Sequence, residues 1–378
     1  MSGNVVVVAA NAAWNLVNFR SGLISALVAN GYDVVAAAPS DKTAEAALLA
    51  LGARFAPIPI DSKGLSPVRD VQTMLAFLKL FRTERPRCFL GYTVKPNVYG
   101  SFASRLSGVP AINNISGLGT AFIAETWLTR VVEQLYRTAL APAHRVFFQN
   151  KDDLSLFVQR ELVRPDATQV LPGSGIDLAA FAPQPFQSKP AGEISFLLIA
   201  RLVGDKGVRE YVDAARALKV RHVGWHFRIV GFLDVENRTA IDRSVVEAWV
   251  AAGDIVFDGP TTDVRPHIAA ADCIVLPSYR EGTSRVLLEA AALARPIVAT
   301  DVPGCREVVD DGVSGFLCKP RNAVSLADAM ERIGAAGFAG RERMGLAGRA
   351  KVEREYDEQI VIEAYREALR GLPSPSDD

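Results

Sequence analysis

Short apolar runs alternate with helical patterns along the first half of the chain. Residues 5–10 form the first run, Val-Val-Val-Val-Ala-Ala. After a polar stretch, 11–18, a helical pattern extends over 19–30 and stops at Gly31-Tyr32-Asp33; 34–38 is the next strand. Residues 44–51 read as helix and 54–60 as strand. The segment 68–83 places Val71, Leu75, Leu78 and Phe81 on one helical stripe. A short strand, 88–90, leads into Gly91-Tyr92-Thr93-Val94-Lys95-Pro96-Asn97. Strands alternating with helices predict parallel crossover units and a doubly wound sheet, which binds ligands beyond the carboxyl ends of its strands.

The pattern then restarts. Leu171-Pro172-Gly173-Ser174-Gly175-Ile176-Asp177 and the proline-rich stretch 183–190 read as a linker. Strands are predicted at 194–200, 226–230, 255–258, 273–276 and 297–300, with helices between them, including 208–217. A last helix covers about 359–369, and the polar tail 373–378 reads as frayed. The expected organisation is two related α/β domains in tandem, 1–172 and 173–358, with 359–378 as a terminal helix and tail packing back on the first. Two such domains facing each other create a cleft, a common place for a ligand.

Composition narrows the function. The 378 residues are 49% apolar and 22% charged, ordinary for globular domains, and the net charge is zero, which argues against a nucleic-acid partner. Residues 1–180 hold 17 Lys/Arg against 13 Asp/Glu, so the first half is mildly basic and suited to an anionic surface or phosphorylated acceptor. Cys88, Cys273, Cys305 and Cys318 are scattered, without zinc or dithiol spacing, as expected in a reducing compartment. Neither a signal peptide nor an 18-residue apolar run is present, so a cytoplasmic location is expected. His222 and His226 are four apart, but Gly224 and the following strand pattern weaken a ligand pair, so no metal is expected.

The densest chemical signal is 273–292. An apolar strand ends in Ser278-Tyr279-Arg280-Glu281-Gly282-Thr283-Ser284, and a helix follows that carries Glu289. A helix N-terminus favours an anion, and a carboxylate accepts two hydrogen bonds from vicinal hydroxyls. A second signal is Arg201-Leu202-Val203-Gly204-Asp205-Lys206-Gly207, where a strand end meets the next helix; Arg201 and Lys206 are placed to hold a diphosphate. Taken alone, these cations read equally well as solvated surface charges, and two glutamates at this spacing arise often by chance. Gly231 follows the 226–230 strand, where it permits close approach of a ligand or simply makes a turn. The strand and turn around Phe257 is a candidate seat for a nucleobase.

Together, the strings R-L-V-G-D-K-G (201–207), S-Y-R-E-G-T-S-R-V-L-L-E-A (278–290) and P-I-V-A-T-D-V-P-G-C-R-E-V-V-D-D-G-V-S-G-F-L (296–317) resemble the C-terminal domain of family 4 of the retaining glycosyltransferases, which have the GT-B fold. N-L-V-N-F-R (15–20), Y-T-V-K-P-N-V-Y-G (92–100) and S-G-L-G-T-A-F (116–122) fit the bacterial branch that extends lipid-linked oligosaccharides and polysaccharides, such as N-acetylgalactosaminyltransferases acting on undecaprenyl diphosphate sugars. The resemblance implies an acceptor-binding first domain and a second domain that binds a nucleotide sugar, with UDP as the commonest nucleotide. Glu281 would contact the donor sugar and Glu289 the ribose. Arg201 and Lys206 would neutralise the diphosphate, and Gly282, Thr283 and Ser284 would offer amides. Where many relatives carry a histidine before a glycine, this chain has Ser116 and Gly117. Asn15, Arg20, Tyr92, Lys95 and Asn97 are the acceptor candidates, for a polyprenyl-diphosphate-linked or glycan acceptor. The segment 123–140, with Trp127 and Arg130, reads as a core-facing helix or as a peripheral membrane contact. A UDP-sugar is then a substrate, and no cofactor is expected.

Three other functions compete with transfer. A non-hydrolysing nucleotide-sugar epimerase would share the fold, and a non-catalytic nucleotide-sugar binder would share the site. A dinucleotide oxidoreductase lacks its G-x-G-x-x-G after an early strand.

Overall fold

The computed structural model describes residues 4–61, 66–117, 127–187, 189–190, 192–235, 237 and 239–372. Residues 118–122 of the S-G-L-G-T-A-F string, 123–126 of the amphipathic segment and the tail 373–378 lie outside the described residues. The chain divides into two compact units. One comprises Met1–Ser174 with Glu358–Asp378, the other Gly175–Asp357. Among the described residues no helix is long and apolar enough to cross a membrane.

The first unit begins β1 (Val5–Ala9), α1 (Ala13–Ala29), β2 (Asp33–Ala38), α2 (Lys42–Ala50), β3 (Arg54–Pro57) and α3 (Pro67–Glu84). It continues with β4 (Cys88–Tyr92), a π-helical turn (Pro96–Gly100), α4 (Ser101–Leu106), β5 (Ala111–Ile115), α5 (Trp127–Leu140), β6 (Arg145–Phe148), α6 (Lys151–Gln159) and β7 (Thr168–Val170). The seven strands are parallel in the order β3-β2-β1-β4-β5-β6-β7. Helices cover both faces, which is why β1 and β2 are almost continuously apolar. Val6 and Val8 face the core shared with α1, whereas Val7 and Ala9 face the core shared with α3.

Several elements depart from the sequence reading. Helix α1 begins at Ala13, within the stretch expected to be loop. Its asparagines bond one turn back, Asn15 Nδ2 to Asn11 Oδ1 at 2.8 Å and Asn18 Nδ2 to the Trp14 carbonyl at 2.9 Å, so the polar run folds as helix. Strand β3 ends at Pro57 instead of 60. On α3 the buried face is Thr73, Phe77 and Phe81; of the expected stripe Phe81 joins the core and Leu78 packs partly buried against it, while Val71 and Leu75 are about half exposed. Strands β5, β6 and β7 have no counterpart in the apolar pattern. In β5 the polar pair Asn113-Asn114 interrupts the run, yet both are fully buried. Asn113 donates to Asn97 Oδ1 (3.0 Å) and Ser101 Oγ (2.8 Å), and Asn114 donates to the Tyr365 hydroxyl (3.2 Å). In α5, Tyr136 and Leu140 are buried and Val131 is turned to solvent.

The second unit contains β8 (Ile194–Ile199), α7 (Val208–Arg221), β9 (Trp225–Val230), α8 (Arg243–Ala251), β10 (Val256–Gly259), α9 (Arg265–Ala270) and β11 (Cys273–Leu276). Then come α10 (Arg285–Ala292), β12 (Ile297–Thr300), β13 (Gly315–Cys318), α11 (Ala323–Ala335) and α12 (Gly337–Glu355). Its six parallel strands run β10-β9-β8-β11-β12-β13. Both sheets therefore wind alike, and the strand order reverses between β1 and β4 in one and between β8 and β11 in the other. Helix α13 (Glu358–Arg370) belongs to the first unit, where Val361, Ile362, Tyr365 and Leu369 join the α1 core and Tyr365 packs edge-on to Phe147 at 4.8 Å. All four cysteines are free and buried. Burial raises each thiol pKa, that of Cys318 to about 12.

Candidate active site at the second sheet's reversal point

A doubly wound sheet offers its ligand crevice where the strand order reverses. In the second unit that point lies between β8 and β11, which pair directly (Cys273 with Phe196, Ile274 with Leu197). The segments leaving these strands carry both charged motifs. After β8 the chain makes a 3-10 turn, Gly204–Lys206, and reaches Gly207 at φ +69°. A Cβ at Gly207 would collide with the Pro277 carbonyl, so glycine lets the two segments touch. They are also joined by hydrogen bonds. The Tyr279 amide donates to the Asp205 carbonyl at 2.9 Å, and the Tyr279 hydroxyl donates to Glu210 Oε1 at 2.6 Å. The Lys206 ammonium forms an ion pair with Glu281, both side chains largely sheltered at 22% and 14% exposure. Arg201 is exposed and makes no side-chain hydrogen bond or ion pair among the described residues.

The Glu281 loop is braced from β12. Thr300 Oγ1 donates to the Ser278 carbonyl. The Glu281 amide donates to the Pro303 carbonyl (3.1 Å), and the Ser284 amide to the Gly304 carbonyl (3.0 Å). That last bond corrects the expectation of a Ser284 amide open to ligand. Gly304 sits at φ +80°, and a Cβ there would press on the carbonyls of Gly282 and Glu281, the latter at 2.6 Å. Sequence reasoning assigned no role to this Pro303-Gly304 brace; the Pro-Gly pair was its available signal. Gly282 and Thr283 stand between the braced positions.

Glu289 lies in the body of α10, buried, with Arg285 Nε donating to its Oε1 at 3.1 Å. Arg285 also donates to the Gly175 carbonyl at 3.3 Å. Burial raises the Glu289 carboxyl pKa, and the Arg285 charge opposes the rise. Gly231 has a structural cause: a Cβ there would overlap the Ala200 carbonyl, so the residue serves the approach of two strand ends. Phe257, in β10, packs partly buried against the second unit's core.

The acceptor candidates of the first unit divide differently. Tyr92 closes β4 and is 2% exposed, with the buried Arg20 guanidinium 4.2 Å above its ring. Asn97 is 1% exposed and holds Asn113 and the Asn114 carbonyl, the latter at 2.8 Å. Both were expected in an open loop; the structure corrects this, because strand pairing and the π-helical turn bury them. Lys95 pairs with Asp70 of α3 at 2.6 Å. Asn15 stands on α1 rather than in a loop. Ser116 donates to Asn114 Oδ1 at 3.0 Å, and Gly117 takes φ +138°.

Comparison with known proteins places this geometry in a family. Residues 193–335 match the family described as glycosyl transferases group 1, and residues 18–173 match the glycosyl transferase 4-like domain. The chain is 26% identical over 372 residues to the N,N'-diacetylbacillosaminyl-diphospho-undecaprenol alpha-1,3-N-acetylgalactosaminyltransferase of Campylobacter jejuni, covering 94% of this chain and 95% of that protein. Among solved structures, sucrose-phosphate synthase from Thermosynechococcus elongatus superposes with a TM-score of 0.80 at 18% identity, covering 98% and 99% of the two chains. HepE of Anabaena in complex with UDP-glucose superposes with a TM-score of 0.77 at 17% identity, covering 97% and 100%. The chain therefore belongs to the glycosyltransferases, with a transferase 4-like domain followed by a group 1 domain on the GT-B fold.

Proposed function

We propose that this protein moves a hexose or N-acetylhexosamine from a UDP-sugar to a lipid-linked or glycan acceptor, with retention of anomeric configuration, during surface polysaccharide or glycoconjugate assembly. The observation that carries the reading is the Lys206–Glu281 ion pair at the reversal point, with Arg201 exposed at the end of the adjoining strand. Without ligand, each member neutralises the other. A donor diphosphate takes the place of Glu281 beside Lys206 and draws in Arg201, which frees Glu281 to accept hydrogen bonds from sugar hydroxyls. Glu289, stiffened by Arg285, serves the ribose. As the bond from the anomeric carbon to the phosphate oxygen breaks, the acceptor oxygen bonds the same face. Its proton passes to the departing phosphate, and UDP leaves. The protein's contribution is positioning and stabilisation of the leaving diphosphate, without a metal or cofactor.

Support for the substrate classes comes from relatives. The Campylobacter protein's name specifies N-acetylgalactosamine transfer and a diphospho-undecaprenol acceptor, and HepE was solved with UDP-glucose. A thermal-shift screen of UDP, GDP and ADP sugars tests the donor, with the largest stabilisation expected from a UDP-sugar. Transfer to short polyprenyl diphosphate acceptors follows, in EDTA and with the product's anomeric coupling read by NMR. A flat screen would count against the donor site, EDTA inhibition against the metal-free route, and an inverted product against retention.

A further inference from the structure

On the amino-terminal side of the second sheet, away from the reversal point, lies a cavity of about 540 Å³, within the range of small-molecule sites. Asp272 immediately precedes β11, Glu193 immediately precedes β8, and Trp225 opens β9; all three line it, with Lys189, Phe338 and Arg341 of α12. Arg341 is 7% exposed and makes no side-chain hydrogen bond among the described residues. Its Nε is buried without a partner, and Asp272 Oδ1 stands 3.9 Å from a terminal nitrogen, close enough for a long ion pair but beyond hydrogen-bond reach. Asp272 is already engaged: Lys189 Nζ donates to its Oδ2 at 2.5 Å and the Ser195 amide donates to the same oxygen at 2.8 Å. The unpaired buried Nε is costly and the terminal nitrogens make no hydrogen bond among the described residues, so the guanidinium's place beside an open cavity points to a ligand that completes it.

We propose that this cavity binds a small organic carboxylate, its charged end on Arg341 and its apolar body against Trp225 and Phe338. Charge selects the ligand. Lys189 pairs with Asp272, and Arg221 and His222 hold Glu331, so the charges of the lining without a hydrogen-bond partner among the described residues are the Arg341 cation and the Glu193 carboxylate. A monoanion matches the Arg341 charge and meets the least repulsion from Glu193, and a guanidinium fork fits a carboxylate with two parallel bonds. A phosphate dianion would set its second charge against Glu193, with no cation left to offset it. Phe338 is 42% exposed and Trp225 6%, so the apolar walls run from the cavity's mouth to its depth.

The test uses the intact chain with three probes, benzoate, inorganic phosphate and benzyl alcohol, followed by ligand-observed NMR and calorimetry. Benzoate is expected to bind in the millimolar range and at least ten-fold more tightly than the other two. Arg341→Met should weaken benzoate at least ten-fold and raise the melting temperature, because it removes a buried charge without hydrogen bonds. Ala335→Trp, at an exposed lining position, should block benzoate and leave the melting temperature unchanged. Glu281→Gln should leave benzoate binding intact, which keeps this result separate from the donor-site reading. Equal benzoate binding by wild type and Arg341→Met, no binding by wild type, or a preference for phosphate overturns the proposal. A melting temperature lowered by Arg341→Met, with benzoate affinity unchanged in Ala335→Trp, assigns the arginine a structural role and overturns it too.

Discussion

Lys206 and Glu281 form an ion pair that the proposed donor diphosphate would break, so under that proposal their worth differs between the free and the loaded protein. Lys206→Met should raise the barrier to transfer by about 2–4 kcal/mol, roughly a 30- to 1,000-fold loss in kcat, as for other preorganised charge stabilisers. Steady-state kinetics with a UDP-sugar checks this, and a raised KM with unchanged kcat would contradict it. Glu289 makes a pH-dependent contribution. Burial raises its folded-state pKa, so above that value the carboxylate is charged and its burial opposes folding. As pH falls through the folded pKa the proton is taken up and the cost disappears. Glu289→Gln should therefore raise the melting temperature of the ligand-free protein near neutral pH, lose that advantage in acid, and bind the nucleotide about ten-fold more weakly. Melting curves at several pH values and nucleotide titration decide the matter. At Gly304, both the φ of +80° and the nearby carbonyls of Glu281 and Gly282 resist a side chain. Gly304→Ala should cost about 1–3 kcal/mol and abolish donor stabilisation. A denaturant curve and thermal shift matching wild type would refute that.

Elements were legible from sequence where one period dominates. The valine runs of β1 and β2 and the Cys273–Leu276 strand stand out because a parallel sheet covered on both faces wants unbroken apolar runs. Strand β5 was not legible, because Asn113 and Asn114 look like a turn and become strand only when Asn97, Ser101 and Tyr365 satisfy them, the last from far along the chain. The candidate site was legible as residue types, since Lys206 and Glu281, which pair in the structure, stood in quotable motifs. The bond from the Ser284 amide to the Gly304 carbonyl was not, because it depends on how β12's exit loop folds. Helix α3 shows the same limit. It carries apolar residues on two faces, and periodicity alone picked Val71 and Leu75 over the buried Thr73 and Phe77. Thr73 is accommodated because its hydroxyl donates to the Pro59 carbonyl at 2.5 Å. Phe77→Ala should therefore cost about 3–5 kcal/mol, whereas Leu75→Ala should stay within about 0.5 kcal/mol. Chemical denaturation of the two variants compares them directly, and equal losses would reverse the assignment of faces.

At the scale of the molecule, the chain builds the same winding twice and then returns α13 to complete the first core with Val361, Tyr365 and Leu369. The two units thus draw on different stretches of chain, and the sulfur atoms are divided between them. Cys88 lies in the first, and Cys273, Cys305 and Cys318 lie in the second. Since burial keeps all four protonated and out of reach, a thiol reagent acts on this protein only through opening motions. Counting adducts by mass spectrometry during slow labelling becomes a clock for each half: one adduct appearing first marks independent opening of the first unit, three mark the second, and four at once mark a single cooperative event. Native protein labelled rapidly at any of the four would contradict their burial.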